Sequence, residues 1–151
     1  MSTEYIKKWI GYLHSVDREM SRIAAEKLGT TGSNSAVPEL MKALTNRPSE
    51  IRAAAARALG NIGDPTAVPA LAELLKDSDS IVSMAAAEAL GSIRHVSAVP
   101  YLRTVLQQNS TSAHFERTRS HDRGLYVAAV HALEQIGTRD ALEAIRRYGG
   151  S

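Results

Sequence analysis

The fold is decided by residues 58–91, which read ALGNIGDPTAVPALAELLKDSDSIVSMAAAEALG. This segment begins and ends with the same tripeptide, Ala-Leu-Gly, at residues 58–60 and 89–91. The tripeptide Ala-Val-Pro recurs with the same period, at residues 36–38, 67–69 and 98–100. Residues 48–78 and 79–109 share 13 identities in 31 without a gap, so the sequence contains internal repeats. A fixed period of this length is typical of proteins that stack helical units.

A further copy of the repeat is displaced along the chain. Residues 133–137 match residues 59–63 at a spacing of 74, which exceeds two periods of 31 by 12. The additional residues therefore fall within the third unit. We predict a single domain, residues 1–151, that is divided into a half-repeat and four repeats: 1–16, 17–47, 48–78, 79–121 (with an inserted loop near 109–120) and 122–151.

Each unit contains two apolar patterns with the spacing of a helix. The first pattern, helix A, places apolar residues at Met20, Ala24 and Leu28, at Ile51, Ala55 and Leu59, at Val82, Ala86 and Leu90, and at Leu125, Ala129 and Leu133. The second, helix B, does so at Val37 and Leu40, at Val68 and Leu71, at Val99 and Leu102, and at Leu142 and Ile145. We predict an all-α fold, an α-solenoid of about nine helices. The chain has 23 alanines, which fit this fold because small side chains let helices approach closely.

The helix boundaries are predicted from capping and turn residues. Short polar side chains accept hydrogen bonds from the free N–H groups of a first turn. The predicted caps of the A helices are Ser15, Asn46, Asp77 and Ser120, and those of the B helices are Ser35, Thr66, Ser97 and Asp140. Proline is tolerated in the first helical turn, where we place Pro38, Pro69 and Pro100. Turns between A and B are predicted at Gly29, Gly32, Gly63 and Gly137.

These residues resemble the HEAT-like repeats of the type named after phycobilisome lyases, and the resemblance covers most of residues 15–148. It implies a right-handed α-α superhelix with A helices on the convex side and B helices on the concave side. Many such repeats carry an arginine near the start of helix A. Only Arg52 fits that pattern, and Ser21, Ser83 and Tyr126 stand at the other three places. A regular ladder of Arg–Asp contacts between units is therefore not expected.

The resemblance also carries expectations about function. It implies partner binding, and some members attach or detach bilins on phycobiliproteins or act as their chaperones. Another HEAT-like group hydroxylates a modified lysine with iron held by His-Glu pairs. This chain contains no His-Glu dipeptide, so we do not expect that chemistry.

The N-terminal half-repeat is rich in aromatic residues. Tyr5, Ile6, Trp9, Tyr12 and Leu13 align, one repeat earlier, with core positions of helix B. This register favours a cap that covers the open end of the first A helix. The alternative is an exposed aromatic platform for a ligand.

The insertion carries the strongest signal for a binding site. It reads NSTSAHFERTR at residues 109–119 and contains the only phenylalanine of the chain. An apolar ring among guanidinium groups suits an acidic or phosphorylated partner protein. The predicted partner-binding residues are Tyr101, Arg103, His114, Phe115, Arg117, Arg119, His121 and Arg123. The alternative is a solvated loop with a single stray phenylalanine. His114 and His121 are too weak a pattern for us to predict a metal site.

The exposed side chains of the B helices form a second candidate surface. The predicted concave-face residues are Glu39, Met41, Lys42, Ala70, Glu73 and Thr104. This face has mixed charge, whereas a nucleic-acid-binding solenoid is expected to place Lys or Arg along one row. Met41, Ala70 and Ala72 form a small apolar area that could seat a partner helix.

The remaining sequence features restrict the function classes. The chain has no cysteine, no motif of a known catalytic or phosphate-binding site and no membrane-length apolar stretch. We expect a cytoplasmic protein without a cofactor that acts as a non-enzymatic protein–protein interaction scaffold. One alternative is an accessory lyase or chaperone for bilin-bearing phycobiliproteins. Another is weak nucleic-acid binding by residues 94–151, which contain eight Arg, no Lys and five acidic residues. We favour a monomer, although thin cover over Leu142 and Ile145 leaves a dimer through that end open.

Overall fold

The computed structural model describes residues 2–109 and 120–149. Within these ranges it contains nine α-helices and no strand: α1 Thr3–Leu13, α2 Arg18–Thr31, α3 Val37–Ala43, α4 Ser49–Ile62, α5 Val68–Leu74, α6 Ser80–Ile93, α7 Val99–Asn109, α8 Ser120–Ile136 and α9 Arg139–Tyr148. A single turn of 3-10 helix precedes each of α3, α5 and α7. In the described part of the chain, no helix has the length and apolar character needed to cross a membrane.

The helices form two rows that follow the chain. The A helices α2, α4, α6 and α8 pack side by side in sequence order. The B helices α3, α5 and α7 each pack against the A helix that follows, and α1 packs against α2 in the same way. The last B helix, α9, lies against α7 and α8. This arrangement confirms the predicted all-α solenoid.

The A helices are unusually close to one another because alanine and glycine line their contact. A Cβ atom built at Gly29 would lie 2.7 Å from the Cα of Ala58, and one at Gly60 would lie 2.8 Å from the Cα of Ala89. Gly91 approaches Ala132 in the same way, at 2.8 Å. The prediction that Gly29 belongs to a turn is therefore wrong. It lies inside α2, where the absence of a side chain sets the spacing between helices.

The predicted core is confirmed along nearly the whole repeat. The alanine and leucine stripe of the A helices is fully buried at Ala24, Leu28, Ala55, Leu59, Ala86, Leu90, Ala129 and Leu133. Three predicted core positions differ: Met20 and Ile145 are half-buried, and 48% of the surface of Leu142 is exposed. Val37, Val68 and Val99 occupy the same repeat position on helices that are covered by the following A helix. No described helix follows α9, so the core prediction for Leu142 is wrong.

Three of the four predicted caps of the A helices are wrong by two residues. The N-cap of α2 is Asp17, whose carboxylate accepts hydrogen bonds from the N–H groups of Glu19 and Met20 at 2.9 and 3.2 Å. Asp79 caps α6, and Pro48 stands at the start of α4. The side chains of Ser15 and Asp77 instead accept hydrogen bonds from the N–H groups of Asp17 and Asp79, respectively. These hydrogen bonds stabilise the turn that precedes each helix. The remaining two predicted caps, Asn46 and Ser120, lie before Pro48 and within α8.

The predicted caps of the B helices are also wrong. Ser35, Thr66 and Ser97 lie inside the 3-10 turns, and Asp140 lies in the first turn of α9 after the N-cap Thr138. The proline and glycine predictions fare better. Pro38, Pro69 and Pro100 stand in the first turns, and Gly32, Gly63 and Gly137 end A helices with φ of 63°, 79° and 67°.

The insertion lengthens two helices as well as the connection between them. Helix α7 has 11 residues, whereas α3 and α5 have 7, and α8 has 17 residues, whereas the other A helices have 14. Asn109 and Ser120, which the sequence placed at the borders of a loop, therefore belong to helices.

Candidate interaction surfaces

The exposed side of α3, α5 and α7 is called the helix-B face below. Its exposed side chains are Lys42, Glu73, Tyr101, Arg103 and Thr104, and Glu39, Met41 and Ala70 are half-buried. Ala72 is only 5% exposed, so the predicted apolar area of Met41, Ala70 and Ala72 loses one member. The face therefore offers mixed charge and one exposed aromatic ring.

The N-terminal part of the helix-B face is occupied by internal ion pairs. The Lys42 ammonium donates to the Glu39 carboxylate at 2.7 Å, and His14 Nε2 lies 2.9 Å from the other carboxylate oxygen. The hydrogen bond from Lys42, followed by that from His14, holds the pKa of Glu39 below its usual value. Because Glu39 already has these partners, it is a weak site for a third molecule.

The C-terminal part of the helix-B face is more open. Tyr101 is 42% exposed, and Arg103 borders a groove of about 140 Å³ that α9 lines with Asp140, Glu143, Ala144, Arg147 and Tyr148. Between these two side chains, Leu102 is fully buried. The hydroxyl of Thr104 donates to the carbonyl of Pro100 at 3.0 Å and so is engaged within α7. Tyr101 and Arg103, two residues apart, therefore lie on the two flanks of the exposed side of α7, and the opposite side of this helix belongs to the core.

The insertion residues are placed only in part. His114, Phe115, Arg117 and Arg119 lie outside the described residues, and His121 lies in α8 without a described side chain. Arg123 is exposed and lines a groove between α6 and α8. Arg103 lines the groove next to α9, so the two arginines do not share one described site.

The groove between α6 and α8 was not predicted from the sequence. It has a volume of about 510 Å³, and Met84, Gly124, Val127 and Ala128 give it an apolar wall. Val127 is 59% exposed. A signal was available in the repeat alignment, because one position of helix A reads Arg22, Ala53, Met84 and Val127 along the chain and so carries large apolar side chains in the last two units.

One ion pair connects the start of α4 to the turn that precedes α6. The Arg52 guanidinium donates to both carboxylate oxygens of Asp77, at 2.9 and 2.8 Å, and also to the carbonyls of Asn46 and Arg47. The hydrogen bond that Arg52 donates to Asp77 raises the pKa of Arg52. At the same repeat position the buried Ser21 donates to the carbonyl of Ser15. Serine at this position of α2 cannot form the ion pair that Arg52 forms, as expected for repeats without a regular Arg–Asp ladder.

Two further residues occupy that repeat position in later units. The hydroxyl of Ser83 donates to the carbonyl of Ser80 at 3.1 Å. The hydroxyl of Tyr126 donates to the carbonyl of Tyr148 at 3.3 Å, and burial raises the pKa of this phenol. Tyr126 thereby connects α8 to the end of α9.

The aromatic residues of α1 combine a buried and an exposed side. Ile6 and Leu13 are buried, consistent with a cap over α2. The Trp9 ring lies between Tyr5 and Tyr12, with centroid distances of 6.1 and 5.6 Å. Tyr12 is 38% exposed, so part of this cluster also reaches the surface.

Among the described residues, no group of three or more His, Cys, Asp or Glu side chains could hold a metal ion. The described histidines lie apart. His14 pairs with Glu39, His95 Nδ1 accepts the N–H of Ser97, and His131 is exposed near Glu134.

The HEAT repeat family model matches residues 6–80 and 43–120. The chain therefore belongs to the HEAT repeat family. No curated protein sequence matches the chain.

Solved structures agree with this assignment. The chain is similar to the complex of CpcE and CpcF of phycocyanin lyase from Nostoc sp. PCC7120, with a TM-score of 0.79 and 32% identity over 93% of this chain and 56% of that chain. It thus spans little more than half of that relative. An engineered protein matches with a TM-score of 0.66 and 26% identity, over 99% of this chain and 69% of that chain. Human deoxyhypusine hydroxylase matches at 0.63 and 20% identity, over 98% and 46%, which shows the fold alone.

Proposed function

We propose that the protein is a non-enzymatic interaction module that binds another protein through the helix-B face and the insertion. The observation that carries this proposal is the exposed pair Tyr101 and Arg103 on α7. Tyrosine and arginine are the residue types that contribute most to the energy of protein interfaces. The mixed charge of the rest of the face also suits a protein better than a nucleic acid.

The packing of α7 explains how this pair would bind efficiently. Val99, Leu102, Val105 and Leu106 bury the opposite side of the helix. The backbone of the binding residues is therefore fixed before the partner arrives. Association then requires little ordering of this surface, which favours affinity.

The insertion is proposed to supply specificity. Phe115, Arg117 and Arg119, with His114, His121 and Arg123, would bind an acidic or phosphorylated segment of the partner. Arginine recognises carboxylates and phosphates by paired hydrogen bonds, so a segment of this chemistry is the natural complement.

Affinity capture from cell lysate with quantitative mass spectrometry tests the proposal. Two variants are compared with the intact protein: Tyr101→Ala with Arg103→Ala, and Phe115→Ala with Arg117→Ala and Arg119→Ala. We expect each variant to fold normally and to lose at least about tenfold in recovery of the same partner, because truncated anchor residues cost a tenfold or larger factor in affinity. The matched control is Arg18→Ala with Arg57→Ala, two exposed arginines on other helices. Unchanged recovery with both test variants would refute the proposal.

A second candidate is supported by the similarity to the CpcE–CpcF complex of phycocyanin lyase. In this case the protein would act as an accessory to bilin attachment or removal on a phycobiliprotein. Mixing the protein with a free bilin should then shift the absorbance spectrum of the bilin. The size of the shift should increase with the concentration of the protein. An unchanged spectrum, both alone and with a phycobiliprotein present, would exclude this candidate without affecting the first.

A further inference from the structure

The end of the helix stack carries a second surface, separate from Tyr101 and the insertion. It is a groove of about 710 Å³ on α9, lined by Arg139, Leu142, Glu143, Arg146 and Arg147. Below it is called the α9 end groove. We propose that the α9 end groove docks an amphipathic helix of a partner protein whose apolar anchor is flanked by acidic side chains.

The apolar part of the groove is a repeat position that no helix of the described chain covers. Leu142 corresponds to Val37, Val68 and Val99, which are at most 4% exposed because an A helix lies over them. Leu142 itself is 48% exposed, and Ile145, one turn later on the same side of α9, is half-buried. An amphipathic helix with leucine-type anchors is the element that normally fills such a position.

The sequence of α8 excludes one occupant, a further repeat with the same spacing. Gly29, Gly60 and Gly91 leave room for the next A helix because a Cβ at each would meet its backbone within 2.7 to 2.8 Å. The same position of α8 holds Glu134, whose side chain is 57% exposed. An A helix at this spacing would overlap that side chain. An A helix at this close spacing is therefore excluded as the cover of Leu142.

The charge of the groove selects the polarity of the occupant. Its lining contains three arginines and a single carboxylate, Glu143. In the described part of the chain, neither Arg139 nor Arg146 forms an ion pair, whereas Arg22 and Arg52 are both paired. Arg147 lies 5.6 Å from the centroid of the Tyr148 ring. Two uncompensated guanidinium groups beside an exposed leucine favour acidic residues next to the apolar anchor.

The same charges argue against a second copy of this chain. Two α9 end grooves facing each other would bring arginine against arginine. A head-to-tail contact would place the groove against α1, which exposes Lys7 and Lys8 and a single carboxylate, Glu4. Like charges across an interface oppose association. A partner of opposite charge is the better complement.

A designed peptide tests this chemistry directly. The probe is a fluorescein-labelled, hydrocarbon-stapled helix of about 16 residues with leucine at i, i+3 and i+7 and glutamate on both flanks, in keeping with helix-in-groove recognition. The control peptide has lysine at every glutamate. Fluorescence anisotropy gives the affinity, and ¹⁵N NMR of the full chain locates the binding site. We expect saturable binding of the acidic peptide, at least tenfold tighter than the basic one, with shifts concentrated on α9.

Variants then connect the binding to the named residues. Arg139→Glu with Arg146→Glu should weaken the acidic peptide at least tenfold and improve binding of the basic one, and Leu142→Ser should weaken both. Arg18→Glu with Arg57→Glu is the matched control and should change nothing. Circular dichroism confirms that each variant is folded.

Three results would overturn the inference. These are no saturable binding, equal affinity for the two peptides, and shifts that fall on α1 to α7 instead of α9. Sedimentation velocity adds a fourth test. A dimer that Leu142→Ser dissociates would show that a second copy occupies the groove, and the proposal of an acidic partner helix would then be wrong. The groove at Arg103 shares Glu143 and Arg147 with the α9 end groove but contains none of the substituted residues, so a failure of these measurements leaves the proposed function standing.

Discussion

The contact between α4 and α6 leaves no room for a side chain at Gly60, and Gly60→Ala therefore measures how close the A helices are. The new Cβ would lie 2.8 Å from the Cα of Ala89. Ordinary contact begins at 3.4 Å, so the two helices must separate by about 0.6 Å or bend apart. The obstructing atom belongs to the backbone and cannot move aside alone.

The expected change follows from two opposing contributions. Replacing glycine by alanine within a helix gains about 1 kcal/mol, because alanine loses less conformational freedom on folding. Overpacking of a well-filled core costs about 1–3 kcal/mol, and a backbone obstruction belongs at the upper end of that range. We expect Gly60→Ala to lower the free energy of unfolding by about 1–2 kcal/mol.

Gly11→Ala provides the matched control. Gly11 also lies inside a helix, α1, but a Cβ there would have no atom within 4 Å. This variant should raise the free energy of unfolding by about 0.5–1 kcal/mol. Urea unfolding followed by far-ultraviolet circular dichroism gives both values. If Gly60→Ala stabilises the protein as much as Gly11→Ala does, the close packing of the A helices is refuted.

Three further predictions concern the ion pair, the helix start and the open end. Arg52→Ala should destabilise the protein by about 1–3 kcal/mol in the same unfolding assay, because it removes a charged hydrogen-bond partner of Asp77; an effect below about 0.5 kcal/mol would contradict the structure. The Ser49 hydroxyl, followed by the Ile81 N–H, lowers the pKa of Asp79. The contribution of this carboxylate to the stability of the fold is therefore present above its ordinary pKa of 3.8 and is lost as the pH falls below that value. Asp79→Asn should therefore lose less Tm between pH 5 and about pH 2.5 than the intact protein, and parallel Tm curves would refute this. Leu102→Ala should cost about 2–5 kcal/mol and Leu142→Ala less than about 1 kcal/mol, and similar values would show that Leu142 is covered.

The repeat and the core could be predicted because the same burial recurs in every unit of the repeat. The N-caps could not be placed with the same accuracy, because two polar residues near the start of an A helix are both suitable caps. Ser15 and Asp17, like Asp77 and Asp79, both accept backbone N–H groups, but only the second of each pair begins the helix. Local residue type does not distinguish the turn from the cap.

The candidate site was predictable only where the repeat defines which side of a helix faces the core. This rule places Tyr101 and Arg103 at the surface. It fails for Ala72, because an alanine fits an exposed or a buried position equally well. It also fails for Arg123, which the sequence grouped with Tyr101 but which lines the groove between α6 and α8. For Leu142 the sequence predicts the correct repeat position, but the described chain contains no helix that covers it.

The central claim is that a partner protein covers Tyr101. Hydroxyl-radical footprinting with mass spectrometry measures this cover in the intact protein, with and without the purified partner. Tyr12 is the internal control, because it is 38% exposed on α1 and Tyr101 is 42% exposed on α7. We predict that the partner sharply reduces oxidation of Tyr101 and leaves that of Tyr12 unchanged. Unchanged oxidation of Tyr101 at saturating partner, or protection of Tyr12 alone, would contradict the account.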